Sequence, residues 1–421
     1  MLLDNLFSFI KSSPSAYHAV EEIKKRLVEN GFVELSCGEK MPKDGGKFFL
    51  TENGSSIIAF IAPKNPVGFM VVASHSDSPS FKLKTSAEKL GAYSRLDTEK
   101  YGGMIYSTWF DRPLSLAGRL AVKTDNGIRK MLANLDYDAL VIPNVAIHLN
   151  RGVNDGYKYN PAVDLLPLSG LSGGRGIMEA VAESAGVAAE DILGHDLFLY
   201  NRDEGRVIGK DGEFILSPRL DDLECVYLSL EAFLASKESD SVKVLAVFDN
   251  EEVGSETKQG AASSFFSDVV DMISGEHRRE MLLSSMMLSA DNAHAEHPNH
   301  PELSDAQNSP KLGGGVVIKY NANQRYATDG VSEAIFRRIC ERRGVKLQPY
   351  ANRADIPGGS TLGSIANTRV SIPTVDIGIA QLGMHSACET AGRADVDEML
   401  AAMTEFYSTS IRVDGDEIVI K

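Results

Sequence analysis

Several apolar runs in this 421-residue chain stop abruptly at groups that could do chemistry. The densest such stop is Asp249-Asn250-Glu251-Glu252, which ends the run from Val242 to Phe248. Crowded carboxylates repel one another, and their pKa values rise unless a cation or hydrogen-bond donors compensate. A solvated acidic turn would also account for this stretch taken alone. The same pattern recurs, however: Gly68 to Ala73 empties into Ser74-His75-Ser76-Asp77, Met286 to Ser289 into Asp291, and the run from Thr374 into His385. His75 and Asp77 are two apart on an extended segment, so their side chains share one side. A carboxylate beside an imidazole is the arrangement that orients metal-bound histidines. Asp221 and Asp222 open a helical stripe of Leu223, Tyr227, Leu230 and Leu234. Helix capping would explain one of these two carboxylates but leaves the other over. Two histidines and several carboxylates suit zinc or a similar borderline divalent ion, and one bridging carboxylate would let them hold a pair.

The elements that must position these groups read as α/β. Apolar runs without clean alternation are strands buried on both faces of a parallel sheet, and open α/β sheets bind ligands outside the carboxyl ends of their strands. His75, Glu251-Glu252, Asp291 and His385 each follow such a run, with Asp221 expected at the same sheet edge. An amphipathic helix is predicted over 14–31, capped by Ser15 and stopped at Asn30-Gly31. Strands over 47–52 and 56–62 are joined by the hairpin signal Asn53-Gly54. From about 80 to 215 short strands and turn signals replace this texture, with a helix only at 176–186; the block reads as a mainly β domain inserted into the α/β one. Within it Trp109 to Arg112 and His148 stand out, although taken alone they read as core and surface. Beyond it, a helix over 331–343, a strand over 345–350 and a closing helix over 394–411 are expected. The loop 357–366, with Gly359, Ser360 and Thr361, opens a helix and is a candidate cradle for an anion or carboxylate. It lacks the Gly-Lys-Ser/Thr of a nucleotide loop.

Bulk properties narrow the function. The 58 acidic against 43 basic residues give a net charge of -15, the wrong sign for a nucleic-acid groove. No run approaches the roughly 18–20 apolar residues of a membrane span. The first residues lack the basic and small-residue features of a secretory signal. Cys37, Cys225, Cys340 and Cys388 lie far apart, which fits reduced thiols in a cytoplasm.

The strings SHSDSP (74–79), SPRLDDL (217–223), DNEEVGS (249–255), SADNAHAEHPN (289–299), IKYNANQRYAT (318–328), GGSTLG (358–363) and LGMHS (382–386) resemble, in order, the aspartyl aminopeptidase family of dinuclear zinc exopeptidases. The resemblance implies two Zn2+ per subunit, with His75, Glu252, Asp291 and His385 as ligands and Asp221 bridging. It implies Glu251 as general base and Asp77 as the orienter of His75. It places His148 in a neighbouring subunit's site, and Lys319 in the pocket for an acidic N-terminal side chain, with His297 on a neighbouring loop. The plain alternative for Lys319 is a strand-flanking residue that meets solvent. The fold implied is a three-layer catalytic α/β domain (1–79 and 216–421) with an inserted β-rich dimerisation domain (80–215), assembled into a twelve-subunit shell built from dimers. The expected partners are peptide substrates. One departure is Ala387-Cys388-Glu389, where the family commonly has Arg before the Glu. A dinuclear zinc carboxypeptidase or N-deacylase, a general aminopeptidase, and a shell protein that has lost catalysis are the competing readings.

Overall fold

The computed structural model describes residues 1–36, 38–39, 42, 44–89 and 91–421; Cys37 lies outside the described residues. Its centre is a nine-stranded sheet. In spatial order the strands are Val33–Glu34, Gly46–Glu52, Ser56–Ala62, Val242–Phe248, Phe69–His75, Met286–Ala290, Thr374–Gly378, Val316–Tyr320 and Leu347–Ala351. The middle four, Val242–Phe248 to Thr374–Gly378, are mutually parallel. Along Val242–Phe248 the side chains divide between two cores: Val242, Val244, Ala246 and Phe248 enter one, Leu245 and Val247 the other. Both faces are therefore dry, which is why the run is apolar except for Lys243, whose ammonium reaches Ser236 and Lys237 at the strand's start.

Helices Leu2–Ser12, Ala16–Glu29, Leu220–Ala235, Gly330–Glu341 and Arg393–Tyr407 cover one face, and Phe265–Ser274, Arg278–Leu283 and Leu362–Asn367 cover the other. The result is a three-layer α/β/α body. Among the described residues no helix is long and apolar enough to cross a membrane. Cys225, Cys340 and Cys388 are free thiols.

The expected hairpin forms as Gly46–Glu52 and Ser56–Ala62, in antiparallel register with Asn53 in the left-handed region. The early helix spans Ala16–Glu29, but Ser15 does not cap it; its hydroxyl lies 2.8 Å from His18 Nδ1. Between Ser80 and Asn201 a second, six-stranded antiparallel sheet forms around its own core of Phe81, Trp109, Leu116 and Leu197. Besides Ile177–Ala185 this block holds the short helix Pro161–Asp164.

Two features differ from expectation, and the direction of a third element was left open by the sequence. Arg206–Ile208 and Phe214–Ser217, inside the predicted block, pair onward with Glu389–Gly392 in a five-stranded sheet that belongs to the later part of the chain. His385 does not directly follow a strand of the large sheet. After Gly378 the chain leaves that sheet and forms Ala380–Leu382 in the five-stranded one; a Cβ at 378 would meet the Asp291 carbonyl oxygen at 2.1 Å, so only glycine lets these backbones approach. Val316–Tyr320 runs antiparallel to its neighbour Thr374–Gly378.

Candidate active site

His75 is the last residue of Phe69–His75, and Asp291 follows Met286–Ala290. Beyond Val242–Phe248, Asn250 takes a positive φ of 64° and turns the chain into a short 3-10 segment, Glu251–Val253. Asp77 holds that turn. Its carboxylate accepts the amides of Glu251 and Glu252, both at 3.2 Å, and the Tyr101 hydroxyl at 2.6 Å. His75 Nδ1 lies 3.0 Å from the Asp77 carbonyl oxygen and 3.4 Å from its carboxylate, so Asp77 orients the ring first through its backbone. His385 Nδ1 likewise lies 2.9 Å from the Gly103 carbonyl oxygen. A carbonyl can only accept, so Nδ1 carries a hydrogen in both rings and Nε2 is the nitrogen turned to the cluster.

The Nε2 atoms converge on one carboxylate. Asp221 Oδ1 is 3.5 Å from His75 Nε2, and Asp221 Oδ2 is 3.5 Å from His385 Nε2. Asp291 Oδ1 stands 3.8 Å from His75 Nε2, and Glu252 Oε2 stands 3.4 Å from His385 Nε2. Donor atoms fall into three overlapping groups, each within 4.8 Å: His75, Asp221, Asp222 and Asp291; His75, Glu251 and Glu252; Asp221, Glu252 and His385. Asp222 is fully buried, and its carboxylate accepts the His75 amide at 3.1 Å, so neither aspartate caps the helix. Sequence reasoning left Asp222 without a role.

Asp221 Oδ1 and Glu252 Oε1 are buried with no hydrogen-bond partner. Burial pushes the Glu251 carboxyl up to about 8 and those of Glu252 and Asp222 well above the carboxylate range. Burial also works against the charge on the two imidazoles, but the carboxylates outweigh it. Asp222, Asp221 and Asp291 hold His75 well above its ordinary value, and Asp221 and Glu252 raise His385 to about 10. Orphaned carboxylate oxygens opposite two imidazole Nε2 atoms, whose lone pairs a bound cation would take in place of protons, are the donor set of a borderline cation. Zinc fits these residues.

The segment Tyr101–Thr108, at the start of the excursion from the six-stranded sheet, straps this cluster. Besides the Tyr101 and Gly103 contacts, the Ile105 amide donates to the His385 carbonyl and the Ala387 amide to Thr108 Oγ1, each at 2.9 Å. Asn250 Nδ2 reaches the Tyr101 hydroxyl at 2.8 Å.

Lys319 is 2% exposed, with Nζ 3.4 Å from Asp291 Oδ2 and 5.5 Å from the Tyr326 ring centroid, which rules out the solvent-facing alternative. His294, passed over in the sequence, stands 6.0 Å from the Tyr350 ring. Desolvation and then the Lys319 charge push this imidazole's pKa below its ordinary value. His297 is exposed and stacks 5.4 Å from His300, outside the donor groups. Gly359 and Ser360 are exposed, while Thr361 is buried and gives its hydroxyl to Asp376. That hydroxyl is already committed, and the helix it opens, Leu362–Asn367, has six residues. His148 stands exposed in the 144–150 turn and joins none of the groups.

This chain matches the family described as aminopeptidase I zinc metalloprotease (M18) over residues 9–407. The chain belongs to the M18 family. It is a zinc aminopeptidase, a hydrolase. A probable M18 family aminopeptidase 2 of Clostridium acetobutylicum is 43% identical, covering 96% of this chain and 98% of the relative. One from Mycobacterium leprae is 38% identical, with 97% and 98% covered. Among solved structures, the Ape4 chain of its complex with Nbr1 superposes with a TM-score of 0.93 at 32% identity, covering 97% of this chain and 85% of that one. The S. cerevisiae mApe1 dodecamer gives 0.84 at 27% identity, with 96% and 95% covered.

Cys388 is the position where the resemblance leads one to expect Arg. Asn201 Nδ2 lies 3.2 Å and Arg112 Nη1 3.8 Å from its sulfur, and Arg112 pairs with Asp203 beside it. A guanidinium from the six-stranded-sheet block thus supplies charge next to that position.

Proposed function

We propose that this M18 aminopeptidase works with a dinuclear zinc centre and a glutamate base, and that it prefers acidic N-terminal residues. The single observation that carries the dinuclear reading is Asp221, whose two carboxylate oxygens face two different imidazoles at the same 3.5 Å. His75 and Asp291 would complete one ion's ligands, and Glu252 and His385 the other's. When bound, zinc supplies an acidified water and polarises the scissile carbonyl.

The chain's own residues do the rest. Glu251 shares the site but stays out of the His385 group, which leaves its carboxylate to take a proton from water and pass it to the leaving amine. Its elevated pKa suits a base once nearby cations draw it down. Asp77 fixes the Glu251 amide and the His75 ring at once. A substrate's free α-amine, directed to the metal centre, would restrict cleavage to the terminal residue.

Acidic preference rests on Lys319, a buried cation beside the ligand Asp291. Burying an unpaired substrate carboxylate is costly, and this ammonium is the compensating charge. We further assign 1–79 and about 202–421 to the catalytic domain and about 80–201 to a dimerisation domain, in the cytoplasm; the pairing of Phe214–Ser217 with Glu389–Gly392 supports setting the second boundary at Asn201 and not at 215. The solved mApe1 relative is a dodecamer. A similar shell here would set the exposed His148 beside a partner's site, as a donor to the developing oxyanion.

One experiment tests the core of this reading. Asp-, Glu-, Leu- and Ala-anilides and their N-acetyl forms are assayed alongside zinc counts and sedimentation of the intact chain. The expected result is two zincs per subunit, a large oligomer, cleavage of free-amine substrates alone, and higher kcat/KM for Asp and Glu. In Lys319→Met the acidic preference should shrink by about 2–3 kcal/mol, the worth of a charge-assisted bond. A wild-type preference for leucine, or an unchanged preference in the variant, would leave a general aminopeptidase.

A further inference from the structure

Two of the residues proposed to share an ion stand on separate turns, Asp221 on the non-helical entry to Leu220–Ala235 and His385 in the loop beyond Ala380–Leu382. The strand before Asp221 is Phe214–Ser217. A single side chain joins them from beneath. Glu389 Oε2 accepts the Asp221 amide at 3.0 Å, and Glu389 Oε1 accepts the His385 amide at 2.8 Å. Glu389 is 2% exposed and begins the strand Glu389–Gly392. That strand pairs on one side with Phe214–Ser217, setting Ser217 opposite Glu389, and on the other with Ala380–Leu382. Its backbone is therefore anchored to the strands that lead into both turns, and its carboxylate closes the two turn ends. His385 sits at a φ of 66°, a conformation that non-glycine residues adopt only when the surroundings hold them there. The bond from its amide to Glu389 is one such restraint.

We propose that Glu389 is a positioning residue for the ion shared by Asp221, Glu252 and His385. Resting on the dinuclear reading above, it sets the separation of Asp221 and His385 through their backbones and touches no metal itself. Both of its oxygens are engaged by main-chain N–H groups, so it is not an additional ligand. Metal–ligand distances must hold to roughly 0.2 Å, so a shift of either turn weakens that ion selectively. The ion of His75 and Asp291 depends on Glu389 only through Asp221.

The isosteric change Glu389→Gln puts an NH2 against a main-chain N–H, so the side chain can hold only one of the two turns. Glu389→Asp keeps the charge but shortens the reach. Zinc is titrated into the metal-stripped full chain against a chromophoric chelator, and the melting temperature of the stripped protein is measured in parallel. Wild type is expected to take two zincs in two steps. In both variants one of the two steps should lose about 10–100-fold in affinity, the usual effect of removing a ligand's orienting partner, while the other step holds and the stripped melting temperature falls by no more than one lost buried hydrogen bond accounts for. Two unchanged steps in either folded variant overturn the proposal. Equal loss of both steps with a stripped melting temperature lowered beyond that also overturns it, since that marks a general structural role. A wild type that takes one zinc overturns the dinuclear reading itself, and this appears before any variant is made.

Discussion

Glu251 and Glu252 are adjacent, chemically identical and both raised by burial, so their division of labour rests on direction alone. Glu252 Oε2 faces the His385 ring at 3.4 Å, whereas Glu251 enters only the group around His75. Glu252→Gln should therefore lose zinc. Glu251→Gln should keep it and lose kcat by about 10²–10⁴-fold, the usual worth of a general base. Metal analysis of the two purified variants checks this, and equal zinc loss in both would reject the assignment. At this scale the sequence was informative where a residue ends a buried run. His75, Glu251-Glu252, Asp291 and His385 were singled out that way, Asp221 as the opening of a helical stripe, and the fold brings their donor atoms together. It left Asp222, His294 and Glu389 without a role: Asp222 answers to His75, 147 positions away, Glu389 to Asp221, 168 away, and His294 lies beside a Tyr350 ring that no spacing records.

At the scale of elements, the strap Tyr101–Thr108 ties the inserted block to the cluster. Gly102 at a φ of 75° passes so close to Glu252 that a Cβ would stand 3.2 Å from the glutamate's own. The Tyr101 hydroxyl donates to Asp77, the carboxylate that also holds the Glu251 and Glu252 amides. Tyr101→Phe removes that donor and leaves a buried carboxylate one bond short. A hydrogen bond to a charged group is worth about 1.5–3 kcal/mol, so unfolding free energy should drop by about that amount, and kcat should fall with zinc content unchanged. Denaturant unfolding and steady-state kinetics check it; wild-type values in both would remove the strap from the site's support. Elements with strong local signals, such as the 46–62 hairpin, could be read in advance. The exit of the chain from the large sheet at Gly378 could not, because apolar runs look alike in whichever buried sheet they lie. The helix Leu2–Ser12 did carry a readable stripe in Leu6, Phe9 and Ile10.

For the molecule as a whole, the uncompensated site should make stability depend on pH and on zinc together. Burial raises Glu251, Glu224 and Glu389 to about 8 and Asp249 to about 7. In the unfolded chain these groups ionise near the ordinary carboxylate value, so at neutral pH the folded chain holds protons that the unfolded chain has released. Stability falls with rising pH wherever the folded state binds more protons. His75 and His385 act in the same direction, since their folded values lie above the ordinary one and the stability they give below it is lost as pH rises. Asp221 has the opposite sign, but its folded value is depressed, so its contribution is complete above the carboxylate range and is lost only in acid. His18, held near 4 by burial, likewise acts only below the ordinary histidine value, and Lys243, lowered to about 8 by burial, opposes only above that. Between about pH 6.5 and 8 the balance therefore has one sign. Zinc reverses the conditions that create it by neutralising the carboxylates and taking the imidazoles in their neutral form, and its own binding strengthens as pH rises. The stripped protein should melt at progressively lower temperature from pH 6.5 to 8, while the zinc-loaded protein holds and the gap between them widens. Calorimetry of both forms across that range checks this. A stripped protein whose melting temperature is flat or rises would mean that the crowded carboxylates find compensation within the chain, and would remove the electrostatic argument for a cation at this centre.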